Sequence, residues 1–380
     1  MILHIVDDEK FLLTTITTFE TIFPNENCFL VGVEGTSYNR LEDLKSLAHI
    51  EYRNTRTKEY NQKFLELVKG ASLLIFHNIY KTYKLELINN FKGNIKIAWI
   101  FWGAELYGLN PKFNALLPIT QKAYLKSLPL STRLKKCGPS KLKNRYYWGL
   151  LKRALNNKID YILTNLEEDI ALLEYYTKTS SKRKWFTYYN FNENNIISNR
   201  IIDKKHILIG NSSSETNNHF DTFELLLNKN LSDKKLYIPL NYGDKKYGGL
   251  VIAKAKSLFG ESAKPIVNFL ALEEYSRIIG SCAVLIMNHK RQQAFNTIMI
   301  ALAQGCKVYL REENSIFGAL NNEGFIIFSI QKDIDKESAF LPLSIQNQIH
   351  NLNLIKEKYS GKTVLAKIKT QMQHILEDEY

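Results

Sequence analysis

The sequence predicts an α/β protein made of two doubly wound domains. Short apolar segments typical of buried strands alternate with segments typical of helices, on both sides of a polar stretch from Asn190 to Lys205. The length of 380 residues suits two domains of roughly 150–200 residues each. Because such an alternation forms parallel sheets through right-handed crossovers, we expect two Rossmann-like domains facing each other across a cleft. They comprise residues 1–200 and 201–380, with the last helix packed back on the first domain.

Strand and helix segments follow one another in chain order. In the first domain, strands are predicted for MILHIV, CFLVGV, ASLLIFHNIY, IKIAWIFW and IDYILTN, and helices for YNQKFLELVKGA and EEDIALLEYYTK. In the second, strands are predicted for HILIGN, KKLYIPLNYG, PIVNFL, CAVLIMN, KVYLRE and GFIIFSI, and helices for GLVIAKAKSLFG, LEEYSRIIGS and FNTIMIALAQG. Open parallel sheets bind ligands at the carboxyl ends of their strands, so we expect the functional residues there.

Composition excludes several classes of protein. A hydrophobic content of 45% is too high for a disordered chain, and no apolar stretch approaches the roughly 18 residues of a membrane span. The N-terminus MILHIVDDEK lacks the basic segment of a signal peptide. Four cysteines (Cys28, Cys137, Cys282 and Cys306) without a C-x-x-C motif favour a reduced, cytoplasmic protein over a zinc protein.

The net charge of +13 indicates an acidic partner. No acidic residue lies between Glu105 and Asp160, whereas basic residues alternate there with aromatic and leucine residues. The basic residues are Lys112, Lys122, Lys126, Arg133, Lys135, Lys136, Lys141, Lys143, Arg145, Lys152, Arg153 and Lys158. This pattern predicts peripheral contact with an anionic membrane surface; the alternative is an ordinary solvated face.

Polar loops follow several strands of the second domain. In HILIGNSSSETNNHF, Gly210, Asn211 and Ser212 end a strand, and Asn217 and His219 lie at a helix start. Free backbone N–H groups and the helix dipole suit such a loop to a diphosphate, although Asn and Ser also cap helices for structural reasons.

Two further loops support a site at this edge. Asn241 lies in IPLNYG, and the segment from Asn288 through Lys290, Arg291, Gln292 and Gln293 to Asn296 joins a strand to a helix. Cations and amides at such a junction suit a phosphate or sugar hydroxyls. No G-x-G-x-x-G or P-loop motif follows a strand, which disfavours dinucleotide binding and P-loop ATP hydrolysis.

Five segments in order resemble glycosyltransferase family 56: WIFWGAELYGL, ILIGNSSSETNNHF, IPLNYG, LALEEYSRIIGSC and RQQAFNTIMIAL, over about residues 75–325. The resemblance implies the GT-B architecture, with a nucleotide-sugar in the C-terminal domain and a lipid-linked acceptor in the N-terminal domain. It implies transfer of N-acetylfucosamine, a 4-acetamido-4,6-dideoxygalactose, from its TDP-sugar to lipid II in enterobacterial common antigen assembly. Neither metal nor cofactor is expected. The protein is expected to act in the cytoplasm, peripherally at the inner face of the cell membrane.

The donor site follows from this expectation. Gly210, Asn211, Ser212 and the Arg291-Gln292-Gln293 junction would stabilise the departing nucleoside diphosphate, with Lys290 as an alternative to Arg291 and Asn296 capping nearby. In FLALEEY, Phe269 and Leu270 are expected to end a strand, and Glu273 or Tyr275 to contact ribose or base. The alternatives are a dipole-stabilised acid for Glu273 and core packing for Tyr275.

An inverting transfer needs a general base. Glu105, after the apolar segment WIFWGA, is the first candidate, and His77 is the second. Helix capping for Glu105 and a structural role for His77 are the alternatives. Acceptor contacts are expected at strand ends and in the basic stretch: Asp7, Asn78, Trp102, Gly103, Tyr107 and Arg145.

Two other functions stay open from the sequence. A transferase using another nucleotide-sugar for lipopolysaccharide or capsule would share the fold, because donor choice depends on a few pocket contacts. A basic nucleic-acid-binding protein is the less favoured alternative, since no RNP1-like or zinc-finger pattern appears. We expect no nucleic-acid partner.

Overall fold

A computed structural model describes residues 1–9, 11–34, 44, 47–132, 139–191 and 204–378, with only the backbone described for residues 139–141. The predicted fold class is confirmed, because the chain forms two α/β units, each built on a parallel sheet. The first unit comprises Met1–Phe113, Pro139–Asn190 and Gly361–Tyr380, and the second comprises Asn114–Gly138 and Phe191–Ser360. Most of the polar stretch from Asn190 to Lys205, together with Arg133, Lys135, Lys136 and the side chain of Lys141, lies outside the described residues.

The first sheet contains β1 (Ile2–Asp7), β2 (Asn27–Val33), β3 (His49–Asn54), β4 (Leu73–His77), β5 (Lys96–Ile100), β6 (Tyr161–Leu163) and β7 (Lys182–Lys184). Its strand order is β3-β2-β1-β4-β5-β6-β7, and every neighbouring pair is parallel. The order reverses between β1 and β4. In doubly wound sheets, ligands bind at the carboxyl ends of the strands beside this switch point.

The second sheet contains β8 (His206–Ile209), β9 (Leu236–Pro239), β10 (Ala263–Ile266), β11 (Cys282–Met287), β12 (Lys307–Leu310) and β13 (Phe328–Ser329). Its order, β10-β9-β8-β11-β12-β13, is again parallel throughout and places a switch point between β8 and β11. Strand β10 ends at Ile266, so Phe269 and Leu270 lie in the loop after it and not at the strand end that was predicted.

The helices of the described residues are α1 (Leu12–Ile22), α2 (Lys58–Leu67), α3 (Thr82–Asn90), α4 (Ala104–Leu109), α5 (Pro118–Ser127), α6 (Pro139–Asn157), α7 (Glu167–Thr177), α8 (His219–Leu226), α9 (Lys245–Phe259), α10 (Leu272–Ser281), α11 (Phe295–Ala303), α12 (Ser315–Asn322), α13 (Ile330–Asp333), α14 (Ile345–Tyr359) and α15 (Gly361–Glu377). In the first unit, α1 and α15 cover one face of the sheet, and α2, α3, α4, α6 and α7 cover the other. In the second unit, α5, α8 and α9 share one apolar core with the strands.

Helix α5 belongs to the second unit although its residues come early in the chain. The Asp221 carboxylate accepts hydrogen bonds from the backbone N–H groups of Ile119 (3.1 Å) and Thr120 (2.8 Å) in the first turn of α5. The Asn218 side chain accepts from Leu117 N–H at 2.8 Å and donates to the Ala115 carbonyl at 3.2 Å. Side chains distant in sequence therefore cap α5, supplying the partners that a helix start requires.

A buried ion pair ends strand β1. Lys84 and Asp7 are 0% and 4% exposed, and Lys84 Nζ donates to Asp7 Oδ2 and to the His77 carbonyl, both at 2.7 Å. Burial alone would raise the pKa of Asp7, but the charges of Lys84 and Lys81 and the hydrogen bonds from Lys84 and Tyr83 lower it overall. The Asp7 carboxylate is thus committed to interactions within the first unit.

Helix α6 has one buried apolar side and one exposed basic side. Trp148, Leu151 and Leu155 are buried, whereas Leu142, Tyr146 and the basic residues Lys143, Arg145 and Arg153 are exposed. Such a surface combines positive charge with apolar anchors. No helix within the described ranges is long and apolar enough to cross a membrane.

Candidate active site

The loop after β8 is shaped around one buried side chain, Asn217. Its Oδ1 accepts hydrogen bonds from Asn211 N–H (2.9 Å) and His289 Nε2 (2.8 Å). Its Nδ2 donates to the Ser212 carbonyl (3.0 Å) and the Ser214 carbonyl (3.1 Å). Since Asn217 is 1% exposed and bonds both sides of the loop, it determines the loop's conformation.

Gly210 is required at the start of this loop. Its φ is +67°, and a Cβ at this position would lie 2.7 Å from Asn217 Oδ1 and 3.0 Å from His219 Nε2. Both the left-handed backbone and the close approach of Asn217 therefore exclude a side chain. The predicted Gly-Asn-Ser loop is present at the switch point of the second sheet.

A chain of polar side chains connects this loop to the one after β11. Gln293 Nε2 donates to Asn211 Oδ1 at 2.8 Å, and Gln293 Oε1 accepts from Thr216 Oγ1 at 2.7 Å. Arg291 donates through Nη2 to Thr216 Oγ1 at 3.3 Å. Asn211 Nδ2 in turn contacts the hydroxyl of Tyr242. The structure thus brings Asn211, Arg291 and Gln293 together, with the half-buried Arg291 guanidinium beside the loop.

Two neutral histidines lie beneath the same loops. Burial lowers the pKa of His219 to about 3, and burial together with the charge of Arg291 holds the pKa of His289 well below its ordinary value. His219 Nε2, His289 Nδ1 and Asn288 Nδ2 are buried and have no hydrogen-bond partner within the described part of the chain. Buried polar atoms normally have partners, so this group is consistent with a ligand or ordered water at the switch point.

The β11 loop is held from behind by residues that the sequence did not single out. Asn314 Nδ2 donates to the carbonyls of His289 (3.2 Å) and Arg291 (2.9 Å), and Arg311 Nη1 donates to Asn288 Oδ1 at 3.1 Å. Asn314 also caps α12 through Ile316 N–H. The only sequence signal for this role is position: Arg311 lies near the end of the predicted strand KVYLRE, and Asn314 follows that strand.

The other predicted donor residues lie at the same edge but make fewer contacts. Asn241, Leu270 and Gln292 are half-buried, and the exposed Glu273 forms a surface ion pair with Arg277. Burial raises the pKa of Tyr275, whose hydroxyl contacts Thr297. Asn296 is exposed and does not cap α11, because the cap residue is Ala294, with a φ of +62°.

Glu105 lies in the first turn of α4, after β5, and is 0% exposed. Its Oε1 accepts hydrogen bonds from Ile79 N–H (2.8 Å) and Trp99 Nε1 (3.3 Å). Its Oε2 has no hydrogen-bond partner among the residues that the structure describes. Burial raises the pKa of Glu105 despite these hydrogen bonds. One carboxylate oxygen is therefore anchored, and the other is buried without a hydrogen-bond partner among the described residues.

His77 is buried, and both of its ring nitrogens are in hydrogen bonds. Nε2 pairs with His4 Nδ1 at 3.0 Å, and Nδ1 pairs with the Tyr188 hydroxyl at 2.6 Å. Burial holds the pKa of His77 well below its ordinary value, with the nearby His4 contributing. These contacts favour a structural role over proton abstraction from a substrate.

The predicted acceptor residues differ in their surroundings. Asn78 is buried with a φ of +53°, and Gly103 precedes α4 with a φ of +82°. The buried Tyr107 hydroxyl donates to Asp169, which favours a structural role for this residue too. Trp102 is half-buried after β5, and Arg145 is exposed on α6. Over the described ranges, no group of three His, Cys, Asp or Glu side chains could hold a metal ion.

Replacing Asn217 by alanine is expected to weaken donor binding. The change leaves Asn211 N–H and His289 Nε2 without their shared acceptor. Each buried polar group left unpaired costs about 1–3 kcal/mol. We expect kcat/KM for the donor to fall roughly 10- to 100-fold. Steady-state kinetics with Asn268→Ala as control, an exposed asparagine of the same unit, would check this. Unchanged donor kinetics in Asn217→Ala would mean that the loop conformation does not matter.

Solved structures of other proteins show the same fold over the whole chain. The sucrose-phosphate synthase from Thermosynechococcus elongatus has a TM-score of 0.66 at 10% identity, covering 99% of each chain. A glycosyltransferase from Rickettsia africae has a TM-score of 0.64 at 13% identity, covering 100% of this chain and 99% of that one. HepE from Anabaena, solved with UDP and glucose, has a TM-score of 0.57 at 12% identity, covering 99% and 94%. The fold is that of the GT-B glycosyltransferases.

The chain belongs to glycosyltransferase group 56. The model of this family, described as 4-alpha-L-fucosyltransferase glycosyl transferase group 56, matches residues 138–358, which is more than half of the chain. Among curated proteins, no sequence matches. The predicted family and the predicted glycosyltransferase activity are therefore confirmed, and the nucleic-acid-binding alternative has no support.

Proposed function

We propose that this glycosyltransferase transfers a deoxyamino sugar of the 4-acetamido-4,6-dideoxygalactose type from a TDP-sugar to a polyprenyl-diphosphate-linked glycan. The reaction would serve surface polysaccharide synthesis at the inner face of the cell membrane. The main support is the loop that Asn217 shapes, with Arg291 and Gln293 beside it at the switch point of the second sheet. It combines side-chain amides and a guanidinium, which suit a diphosphate.

The second unit would bind the donor. Asn217 holds the Gly210–Ser212 backbone, while Arg291 neutralises the negative charge that develops as the nucleoside diphosphate departs. Gln293 orients Asn211, and Tyr242 and Tyr275 supply aromatic surface near the same edge. HepE, which has this fold, was solved with UDP and glucose, and this supports a nucleotide-sugar as donor.

The first unit would bind the acceptor. In an inverting transfer, a glycan hydroxyl forms the new bond to the sugar's anomeric carbon while the bond to the diphosphate breaks, and the hydroxyl proton must be removed. We assign this proton to Glu105, whose Oε2 is unpartnered within the described residues. Of the predicted acceptor contacts, we retain Trp102 and Asn78. We do not retain Asp7, because its carboxylate is held by Lys84.

The exposed side of α6 supports a membrane-bound acceptor. It presents Lys143, Arg145 and Arg153 together with Leu142 and Tyr146. Basic side chains attract anionic headgroups, and apolar residues enter the interface. Cosedimentation with vesicles of anionic lipid, but not with vesicles of neutral lipid, is the result that would support this contact.

A thermal-shift panel of TDP, UDP, GDP, CMP and ADP, with and without EDTA, tests the donor assignment. A ligand at 100 times its dissociation constant stabilises the folded protein by roughly 2.7 kcal/mol. We expect TDP to give the largest shift, unchanged by EDTA, and a smaller shift in Asn217→Ala. A preference for UDP or GDP would retain the transferase and favour the alternative of another nucleotide-sugar. A response to none of them would contradict the assigned donor site.

A further inference from the structure

An aromatic cluster lies at the carboxyl edge of the first sheet. It consists of Phe11, Trp102 and Tyr188, which follow β1, β5 and β7, and each is half-buried. The Phe11 ring stacks on that of Tyr188 with centroids 5.1 Å apart and meets that of Trp102 edge-on at 5.0 Å. Trp102 and Tyr188 are also edge-on, at 5.7 Å. Three rings at this edge form a partly exposed aromatic surface beside the switch point.

A buried hydrogen-bond chain orients the Tyr188 hydroxyl. Asn27 Nδ2 donates to backbone carbonyls, including that of Phe23 at 2.7 Å, so its Oδ1 is the acceptor for His4 Nε2 at 3.1 Å. His4 Nδ1 must then accept from His77 Nε2, and His77 Nδ1 must accept from the Tyr188 hydroxyl. This assignment of tautomers follows from the network. The Tyr188 proton is thereby directed to His77, and its oxygen also faces the side chains of Thr15 and Trp102.

The hydrogen-bond chain from Asn27 to Tyr188 is suited to holding Tyr188 in place and not to accepting a proton. Burial lowers the pKa of His4 to about 3, holds the pKa of His77 well below its ordinary value, and raises the pKa of Tyr188. The far end of this hydrogen-bond chain is the side-chain amide of Asn27, which does not take up a proton. Each member therefore stays neutral, and the consequence of the network is a fixed phenol orientation.

Unpartnered polar atoms follow three strands at the same edge. Asp8 Oδ1 comes after β1, Glu105 Oε2 after β5 and Asn165 Nδ2 after β6, and each is buried without a hydrogen-bond partner among the residues described. A ligand with several hydroxyl groups would satisfy both carboxylate and amide atoms. The edge thus combines aromatic faces with polar atoms, as a carbohydrate requires.

We propose that the aromatic cluster binds the apolar face of the acceptor's sugar ring, with the Tyr188 ring held in place by the hydrogen bond from its hydroxyl to His77. His77 and His4 act as positioning residues through Tyr188. This inference rests on the proposed function, because it needs a glycan acceptor in the first unit. A large aromatic ring provides apolar area at low conformational cost, and Tyr adds a polar atom at its end.

Tyr188→Phe keeps the ring and removes the hydroxyl. We expect KM for the polyprenyl-diphosphate-linked glycan to rise roughly 10-fold, because the ring loses the hydrogen bond to His77 that fixes its orientation. KM for the nucleotide-sugar, kcat at saturating acceptor and the thermal shift with nucleotide should stay unchanged. Tyr175→Phe, the same change at an exposed position of the first unit, is the matched control.

Phe11→Ala provides a second, independent variant, because it removes a stacked ring and leaves the buried chain intact. It should also raise KM for the glycan without affecting the nucleotide. If transfer occurs and both variants keep the wild-type KM for the glycan, the aromatic subsite is wrong while the proposed function stands. If the wild-type enzyme transfers no sugar to any polyprenyl-linked glycan, the proposed function itself fails. Should Tyr188→Phe not fold, Phe11→Ala decides the question.

Discussion

Replacing Glu105 by glutamine is expected to lower kcat for sugar transfer by roughly 10²- to 10⁴-fold, the usual contribution of a general base. The amide keeps an oxygen for Ile79 N–H and Trp99 Nε1 but cannot take the acceptor's proton. Protection by nucleotide should not change, because Glu105 lies in the unit assigned to the acceptor. Glu86→Gln, at an exposed position of the same unit, is the control.

The pH dependence gives an independent check on Glu105. Burial raises its pKa, so kcat should fall with decreasing pH through a value above the ordinary 4.5. A carboxyl with a raised folded-state pKa stabilises the fold at low pH, and this contribution is lost as pH rises through that pKa. Relative to wild type, Glu105→Gln should therefore gain stability as the pH rises above the ordinary glutamate pKa of about 4.3. A variant with normal kcat and the same pH dependence of stability would remove Glu105 from the mechanism.

Replacing Lys84 by methionine is expected to reduce the free energy of unfolding of the first unit by about 3–5 kcal/mol. The change leaves the buried Asp7 carboxylate without its closest cation and the His77 carbonyl without a donor. Chemical denaturation followed by a probe in the first unit measures the effect. The double variant Asp7→Asn/Lys84→Met should lose less, because no unpaired charge remains buried.

Lys81→Met is the matched control for this ion pair. Lys81 Nζ lies 3.3 Å from Asp7 Oδ1, but its side chain is 38% exposed. An ion pair whose cation is exposed to solvent contributes about 1 kcal/mol or less, so the control should be close to wild type. Equal losses in Lys81→Met and Lys84→Met would show that burial of the ammonium group is not what matters.

The central strands could be predicted from sequence because each is a largely apolar segment. Strands β3 and β7, with sequences HIEYRN and KRK, could not, since edge strands are half-exposed and polar. The predicted segment PIVNFL extends past the end of β10, because its apolar residues Val267 and Phe269 are exposed in a loop. Apolar character alone does not distinguish a strand from an exposed loop.

The loops that end strands were predictable for a similar reason. Gly210, Asn211 and Arg291 follow apolar segments directly, and parallel strands bring such residues to one edge. The partners of these residues were not predictable, because Asn314 and Tyr242 reach the loops only in the folded chain. His77 shows the limit most clearly: nothing in its own segment indicates that His4 and Tyr188 occupy both ring nitrogens.

The capping of α5 by Asn218 and Asp221 has a consequence for dividing the chain into fragments. A fragment of residues 204–360 would expose the Asp221 carboxylate and the apolar surface that Tyr124 covers. A fragment that ends at residue 191 would carry α5 without its caps and would lack α15. Separate expression of the second unit in soluble form therefore requires residues 114–127 to be fused to it, for example by a circularly permuted gene.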